Sequence, residues 1–227
     1  MKQDKCTRAT EDYIKVIYDL TEFYGRASTN QISEALGVKP ASVTGMIQKL
    51  ASATPPLVEY QKHRGVKLTP EGERAALQVT RQHRLLEQFL FEVLGFSWEE
   101  VHEEAHRLEH VISEKFVSRM AELLKNPRFD PHGDPIPTKA LKVPSTATIC
   151  LCDLQAGQRG VFRRILDDDP ELLRYLWKLG ILPEIGFTVL ENLPIDDNIK
   201  IQVTGQLDPV VLGEKIYKQI YVDIQSI

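Results

Sequence analysis

The 227-residue chain lacks any long run of apolar residues. A membrane-spanning helix needs about 20 consecutive apolar residues, and no stretch of this sequence approaches that length. The first five residues lead into no hydrophobic segment of the kind found in signal peptides. We therefore expect a cytoplasmic protein that makes no contact with a membrane.

Cysteine is scarce, with only Cys6, Cys150 and Cys152 in the chain. An odd number of cysteines, two of them one residue apart, argues against a disulfide framework and for a reducing compartment. Cys150 and Cys152 alternate with Ile149 and Leu151, so the pattern favours a β-strand over a C-x-C metal pair.

The formal net charge of −4 is unevenly distributed along the sequence. Residues 39–67 contain five basic side chains and one acidic side chain, whereas residues 97–124 contain seven acidic and three basic ones. A basic segment within an acidic protein is a candidate contact surface for a polyanion.

The basic segment overlaps a predicted winged helix-turn-helix. Apolar residues at helical spacing predict helices over 10–20 and 29–36 and a third that starts at Pro40, with Gly37 in the turn. Residues 57–68 predict two short strands around a basic turn, the wing of a winged helix. The residues expected to contact DNA are Lys39, Ser42, Thr44, Gln48, Lys49, Lys62 and Arg64.

The basic members of this set are expected to contact phosphates, whereas Ser42, Thr44 and Gln48 are candidates for contacts with base edges. Winged helices also mediate protein contacts, so the pattern leaves a role outside DNA binding open.

Three further helices are predicted after the wing. One covers residues 69–94, with Thr69 as its N-cap, and a capping box over residues 97–100 opens a histidine-rich helix. Ser113 caps another helix that ends near Leu124. These helices carry more apolar residues than a small winged helix needs, so we expect them to form a dimer interface.

The character of the sequence changes at a proline-rich segment, which predicts a linker. A helix over residues 170–179 and five β-type runs follow, and together they predict a small SH3-like β-barrel. The five runs are residues 147–153, 160–166, 186–193, 199–204 and 220–224.

The expected fold class is a multidomain α+β protein. Its predicted parts are a winged helix-turn-helix DNA-binding domain (1–70), an all-α metal-binding and dimerisation domain (71–126), a proline-rich linker (127–144) and an SH3-like domain (145–227).

The densest group of metal-binding side chains lies between Val101 and His110. At about 100° per residue, four of them fall within an arc of about 100° on one helix. His83 and Glu87 form an i, i+4 pair on the preceding helix. Imidazole and carboxylate together suit a divalent transition metal. The four side chains on the arc are His102, His106, Glu109 and His110.

Two other interpretations of these histidines must be weighed. Residues 102–106 match H-E-x-x-H, the signature of zinc proteases, which would predict a zinc-dependent hydrolase. The longer form of that motif has glycine and histidine where this chain has Glu109 and Ile112. A solvated, salt-bridged helix face is the other alternative, and the gathering of three histidines on one arc disfavours it.

In combination, these motifs resemble the diphtheria-toxin-repressor family, the iron- and manganese-dependent transcriptional repressors. The resemblance covers essentially the whole chain and is strongest for the manganese-responsive branch with a C-terminal SH3-like domain. The matching segments are Thr-Glu-Asp-Tyr at 10–13, Ser-Val-Thr at 42–44, Arg-Gly-Val-Lys-Leu-Thr at 64–69, His-Arg-Leu-Leu-Glu at 83–87, residues 101–110, Asp-Pro-His-Gly-Asp-Pro-Ile-Pro at 130–137 and Asp-Pro-Glu-Leu-Leu-Arg-Tyr-Leu at 169–176.

The resemblance implies two metal sites in each subunit. The regulatory site would consist of Asp12, His106, Glu109 and His110, and the second site of His83, Glu87, His102 and Asp169. Asp168 and Glu171 are less favoured alternatives to Asp169.

Two positions depart from the iron-responsive pattern. Iron-responsive members tend to have methionine at the position of Asp12 and cysteine at the position of His106, where manganese-responsive members often have glutamate. The resulting oxygen and nitrogen ligands favour Mn²⁺, with Fe²⁺ as the alternative and Zn²⁺ or Co²⁺ as ions that would bind in vitro.

The resemblance also implies a homodimeric repressor without enzymatic activity or a small-molecule substrate. It would bind a palindromic double-stranded DNA operator and control metal-uptake genes. A winged-helix regulator that does not depend on metal remains the third class of function.

Overall fold

The structure, a computed structural model, describes residues 7–61, 63–166, 169–193 and 195–225. The chain divides into two units between Gln82 and His83, and residues 139–142 belong with the first unit. Lys62 and Asp168, two of the candidate site residues, lie outside the described residues.

The first unit is a winged helix-turn-helix, as the sequence predicts. Buried isoleucine and valine side chains from all three helices and the hairpin form its core, including Ile14, Ile32, Val43 and Val66. Its elements are α1 (Arg8–Tyr24), α2 (Thr29–Leu36), α3 (Pro40–Ala51) and the antiparallel hairpin β1 (Val58–Gln61) and β2 (Gly65–Leu68).

The turn between α2 and α3 is set by local backbone chemistry. Gly37 ends α2 in the left-handed conformation, with φ of 62°, which glycine adopts at little cost. Pro40 then starts α3, where its missing N–H is not needed. Val43, Ile47 and Leu50 are buried at helical spacing, so the opposite face of α3 is exposed.

The second unit begins with three helices, α4 (Pro70–Glu92), α5 (Val101–Leu108) and α6 (Glu114–Leu123). The residues of α4 up to Gln82 belong to the first unit. Thr69 caps α4 by accepting the Gly72 N–H, and Ser113 caps α6, both as predicted. None of the described helices is long and apolar enough to cross a membrane.

The predicted capping box at residues 97–100 does not open α5. Both the backbone N–H and the hydroxyl of Ser97 donate to a Glu100 carboxylate oxygen, at 3.1 and 2.6 Å. The pair therefore closes a separate turn, and α5 begins at Val101 without a side-chain cap.

The C-terminal part of the second unit is the predicted SH3-like domain. Its six antiparallel strands follow the order β3-β8-β4-β5-β6-β7 around a core that includes Phe162, Phe187 and Val222. The elements are β3 (Ile149–Cys150), β4 (Arg159–Ile165), α7 (Pro170–Lys178), β5 (Gly186–Leu193), β6 (Asn198–Val203), β7 (Val210–Gly213), α8 (Glu214–Tyr217) and β8 (Ile220–Ile224).

The strand predicted over residues 147–153 is wrong for most of its length. Only Ile149 and Cys150 pair in the sheet, and Leu151–Asp153 form a turn of 3₁₀ helix. The Cα atoms of Cys150 and Cys152 are 5.1 Å apart. Alternate residues of an extended strand are about 6.6 Å apart, so these two cysteines do not belong to one continuous strand.

Half of the proline-rich segment is folded into the second unit. Residues 130–137 are buried or half-buried, with Ile136 in the helical core. Arg84 donates to the Pro135 carbonyl at 2.7 Å, and the Trp98 indole N–H donates to the Pro131 carbonyl at 2.8 Å. This segment therefore has fixed neighbours on α4 and just before α5.

Gly133 allows the segment to approach the sheet closely. Its φ is 88°, and a Cβ at this position would lie 1.8 Å from the Arg163 carbonyl oxygen. Gly157 has the same φ but open space around the position of its Cβ.

We predict that Gly133→Ala destabilises the protein much more than Gly157→Ala. The control substitution introduces only left-handed strain of about 1–2 kcal/mol, whereas Gly133→Ala adds a steric clash worth about 1–3 kcal/mol more. Denaturant unfolding of both variants measures the difference. Equal losses of stability would show that the close approach of Gly133 is unimportant.

Candidate metal centre

Three ligand atoms converge between α4 and α5. The His83 Nε2 and His102 Nδ1 atoms each lie 3.0 Å from Oε1 of Glu87, and they lie 3.2 Å from each other. His83 and Glu87 are buried, whereas the His102 side chain is 35% exposed. We call His83, Glu87 and His102 the helix cluster.

The carboxylate of the helix cluster is held in its charged form. Burial raises the pKa of Glu87, but the charge of His83 and hydrogen bonds from both histidines lower it more in total. The pKa therefore lies well below its ordinary value. A charged, buried carboxylate flanked by two imidazoles is a donor set for a divalent cation.

A second group of donors lies at the C-terminal end of α5. Oε1 of Glu109 is 2.8 Å from Nδ1 of His106 and 3.4 Å from Nε2 of His110. Glu109 is only 1% exposed, and its backbone N–H still bonds to Ala105, so the last helical turn fixes its position. The sequence prediction that these three side chains share one side of the helix agrees with this geometry.

His83 connects the two groups. Its Nδ1 atom lies 3.0 Å from Oε2 of Glu109, on the side opposite its contact with Glu87. A neutral imidazole has one N–H and donates to only one carboxylate, whereas an imidazolium donates to both. The protonation of His83 at one group therefore determines which hydrogen bond it can donate to the other.

Two further predicted ligands come from other parts of the chain. Asp12 lies on α1, in the first unit. Asp169 caps α7 by accepting the backbone N–H of Glu171 at 2.8 Å, and within the described residues it is not among the donors that converge with Glu87. Both assignments stay predictions.

The geometry separates the residues of the zinc-protease motif. His102 belongs to the helix cluster, whereas His106 contacts Glu109. The Glu103 side chain is 73% exposed and forms an ion pair with Arg107. The residue that would act as the base of a protease therefore points away from both donor groups.

The candidate DNA contacts lie on the exposed face of α3 and in the hairpin turn. Thr44 is half-buried, and its hydroxyl donates to the Pro40 carbonyl at 3.1 Å, so its proton is already used in a hydrogen bond within the helix. Gly45 has open space around its Cβ position on this side of α3. The exposed candidates are Lys39, Ser42, Gln48, Lys49 and Arg64.

The sequence matches three family models in the same order as these structural parts. Residues 5–66 match the N-terminal DNA-binding domain of iron-dependent repressors, and residues 69–138 match their metal-binding and dimerisation domain. Residues 149–224 match the FeoA domain. The chain belongs to the iron-dependent repressor family. It is a metal-responsive, DNA-binding transcriptional repressor and not an enzyme, so the hydrolase alternative is wrong.

Relatives of this chain include an iron-dependent repressor and an HTH-type transcriptional regulator. The iron-dependent repressor IdeR of Mycobacterium leprae is 32% identical over 208 residues, covering 86% of this chain and 89% of the relative. The regulator MntR of Geobacillus kaustophilus is 40% identical over 119 residues, covering 52% of this chain and 82% of the relative.

A solved structure described as a manganese-dependent transcriptional repressor in complex with manganese is also similar. It is 37% identical and has a TM-score of 0.88, covering 95% of this chain and 99% of the other. These names include both iron and manganese, so the metal must be argued from the donor atoms of this chain.

Two donors beside the helix cluster are not predicted from the sequence. Asp130 and His132 are buried, and together with Glu87 each offers a ligand atom within 4.8 Å of the other two. They lie in the segment that the sequence analysis interpreted as a linker. The sequence signal that could have identified them is the spacing of a carboxylate and an imidazole two residues apart.

We predict that His102→Gln weakens metal binding at least about 10-fold, because it removes one of three convergent donors. Glu103→Gln, one residue away on the exposed face, should leave the affinity within about twofold of the parent protein. Isothermal titration calorimetry with Mn²⁺ compares the affinities of the two variants. A larger effect of Glu103→Gln would mean that the donor set is assigned wrongly.

A second prediction concerns the exposed face of α3. The logarithm of the DNA-binding constant falls with the logarithm of the salt concentration. Lys49→Gln should reduce the magnitude of this slope by about 1, because one phosphate contact is lost. Lys178→Gln, an exposed lysine on α7, serves as the control with an unchanged slope. Equal slopes for both variants would remove Lys49 from the DNA interface.

Proposed function

We propose that this repressor responds to Mn²⁺ and binds a palindromic operator as a homodimer. The observation that carries the proposal is the pair of donor groups around Glu87 and Glu109, which are linked by His83 at 3.0 Å on each side. The helix cluster passes a simple test of fit, because its three donor atoms lie within 3.2 Å of one another without an intervening side chain.

The choice of Mn²⁺ rests on donor chemistry. The proposed ligands are carboxylate oxygens and imidazole nitrogens, without the thiolate or thioether sulfur that softer ions prefer. Such a set also accepts Fe²⁺, so selectivity for Mn²⁺ is the part of the proposal that needs direct measurement.

We infer that the regulatory site consists of Asp12, His106, Glu109 and His110. When bound, a divalent cation would supply the positive charge that holds these donors together. Glu109 is fixed by the end of α5, and His106 and His110 both lie near its Oε1 atom, at 2.8 and 3.4 Å. Asp12 is on α1 of the DNA-binding domain, so its recruitment would restrict the freedom of that domain.

The homodimer is supported by apolar side chains exposed in the helical domain. Phe116 and Leu123 are 46% and 62% exposed and lie seven residues apart, on one side of α6. Burial of this side against a second copy would give a dimer that carries two α3 helices. A palindromic operator requires those helices to lie about 34 Å apart, one turn of DNA.

The operator contacts divide by chemistry. Lys39, Lys49 and Arg64 would contact phosphates and give the affinity its dependence on salt. Ser42 and Gln48 are exposed on α3 and would read base edges in the major groove. Because such a repressor would bind DNA when metal is abundant, we propose that it represses metal-uptake genes.

The test is a DNA-binding titration on an operator recovered from genomic DNA. We expect Mn²⁺ to raise the affinity at least about 10-fold over a chelated sample. Asp12→Met combined with His106→Cys should shift the preference towards Fe²⁺, because it introduces sulfur donors.

The control for this titration is Glu103→Gln, which should keep the full response to metal. A change of less than a few-fold between Mn²⁺ and chelator in the parent protein would overturn the proposal. Equal activation of the parent protein by Fe²⁺ and Mn²⁺ would overturn the assignment of the metal.

A further inference from the structure

The SH3-like domain carries a group of donor atoms that none of the proposed sites uses. The sulfurs of Cys150 and Cys152 and a carboxylate oxygen of Asp153 all lie within 4.8 Å of one another. They come from the end of β3 and from the 3₁₀ turn that follows it. We call these three residues the thiol cluster.

The thiol cluster forms because the predicted strand ends early. The sequence pattern assigns both cysteines to a strand, but the chain turns into a 3₁₀ helix at Leu151. The turn brings the two Cα atoms to 5.1 Å, compared with about 6.6 Å for alternate residues of a strand. The shorter spacing helps both sulfurs to reach one ion, because two sulfurs on a tetrahedral cation lie about 3.8 Å apart.

The backbone of the thiol cluster is held by the fold. Cys150 pairs with Tyr221 of β8 in the sheet, and the side chains of Leu151 and Leu154 are fully buried in the domain core. The donors are therefore ordered before an ion binds, which lowers the entropy cost of binding.

The thiol cluster is open to solvent on one side. Cys150 is only 8% exposed, whereas Cys152 is half-buried and Asp153 is exposed. An ion can therefore reach both sulfurs from the solvent and keep a water molecule as its fourth ligand.

The atoms around the sulfurs favour a cation. The Cys150 sulfur lies 3.7 and 3.8 Å from the carbonyl oxygens of Tyr217 and Lys218, and the Cys152 sulfur lies 3.7 Å from Oδ1 of Asp153. These oxygens are negatively polarised or charged, so they disfavour a thiolate without a counter-ion. A cation bound to both sulfurs compensates that negative charge.

We propose that Cys150, Cys152 and Asp153 bind a thiophilic divalent cation, and that Zn²⁺ is the ion that fits best. Two thiolates, one carboxylate and a water molecule make a tetrahedral ligand set that suits Zn²⁺. The donors of the helical domain contain no sulfur and suit Mn²⁺, so the two domains would select different ions. The inference goes beyond the proposed function and does not rest on it.

The site requires the reduced form of the two cysteines. The structure joins their sulfurs in a disulfide, which a dithiol reductant opens by exchange. The reductant becomes a disulfide, and its two protons pass to the cysteines. Zn²⁺ then displaces these protons as it binds the sulfurs. The reducing compartment that the scarcity of cysteine predicts would keep the pair available.

The test is a titration of the reduced full chain with Co²⁺, a spectroscopic substitute for Zn²⁺, in the absence of oxygen. Thiolate ligands give Co²⁺ an intense sulfur-to-metal absorption in the near ultraviolet, which imidazole and carboxylate ligands do not give. The parent protein should show this absorption with an amplitude of two thiolates on one ion, and added Zn²⁺ should abolish it.

Serine substitutions locate the thiolates. The double variant Cys150→Ser/Cys152→Ser should lose the absorption completely, and Cys152→Ser alone should weaken Zn²⁺ binding at least about 10-fold. Because Cys152 is half-buried, the single variant tests the site even if a change at the buried Cys150 destabilises the domain. Cys6→Ser, at the third cysteine of the chain, is the matched control and should behave like the parent protein.

The absence of the absorption from the reduced parent protein would overturn the inference, and so would its persistence in the double variant. Saturation at one Co²⁺ per two subunits would also overturn it, because the sulfurs would then come from different copies. The double variant should keep the response of operator binding to Mn²⁺, so failure of this site is distinguishable from failure of the proposed function.

Discussion

The contact on which the account depends is the imidazole of His83, which lies 3.0 Å from carboxylate oxygens of both Glu87 and Glu109. One ring cannot donate to both while it is neutral. A metal ion held at Nε2 would leave the proton on Nδ1, where it donates to Glu109. Binding at the helix cluster would thus orient the carboxylate at the centre of the proposed regulatory site.

The buried carboxylates of the helical part of the second unit favour the binding of a cation. Glu87, Glu109 and Asp130 are all buried in one region, and burial of a carboxylate is costly unless a partner compensates it. The histidines compensate in part, and a divalent ion does so more completely. We therefore expect metal binding to stabilise the folded arrangement as well as to promote DNA binding.

Much of this architecture follows from local sequence signals. Gly37 and Pro40 define the turn of the helix-turn-helix, and the spacing of His106 and Glu109 already places them on one side of a helix. The contact of His83 with Glu109 joins residues 26 positions apart. It depends on the packing of α4 against α5, so the local sequence does not predict it.

Other features depend on tertiary context that periodicity does not encode. Asp130 and His132 are in a proline-rich segment, which resembles a linker until Gly133 allows it to pack against the Arg163 carbonyl. The short strand β7 was not predicted, because it is recognised by its pairing with β6 and not by a local pattern. The alternation around Cys150 predicts a strand, but the chain turns into a 3₁₀ helix at Leu151.

The most direct measurement of the central claim is the ratio of operator affinities with Mn²⁺ and with chelator, compared between the parent protein and His83→Gln. If His83 links the two donor groups, the ratio should fall from about 10 or more to within a few-fold of one, while the affinity under chelator stays unchanged. A His83→Gln protein that keeps the full response to Mn²⁺ would contradict the account.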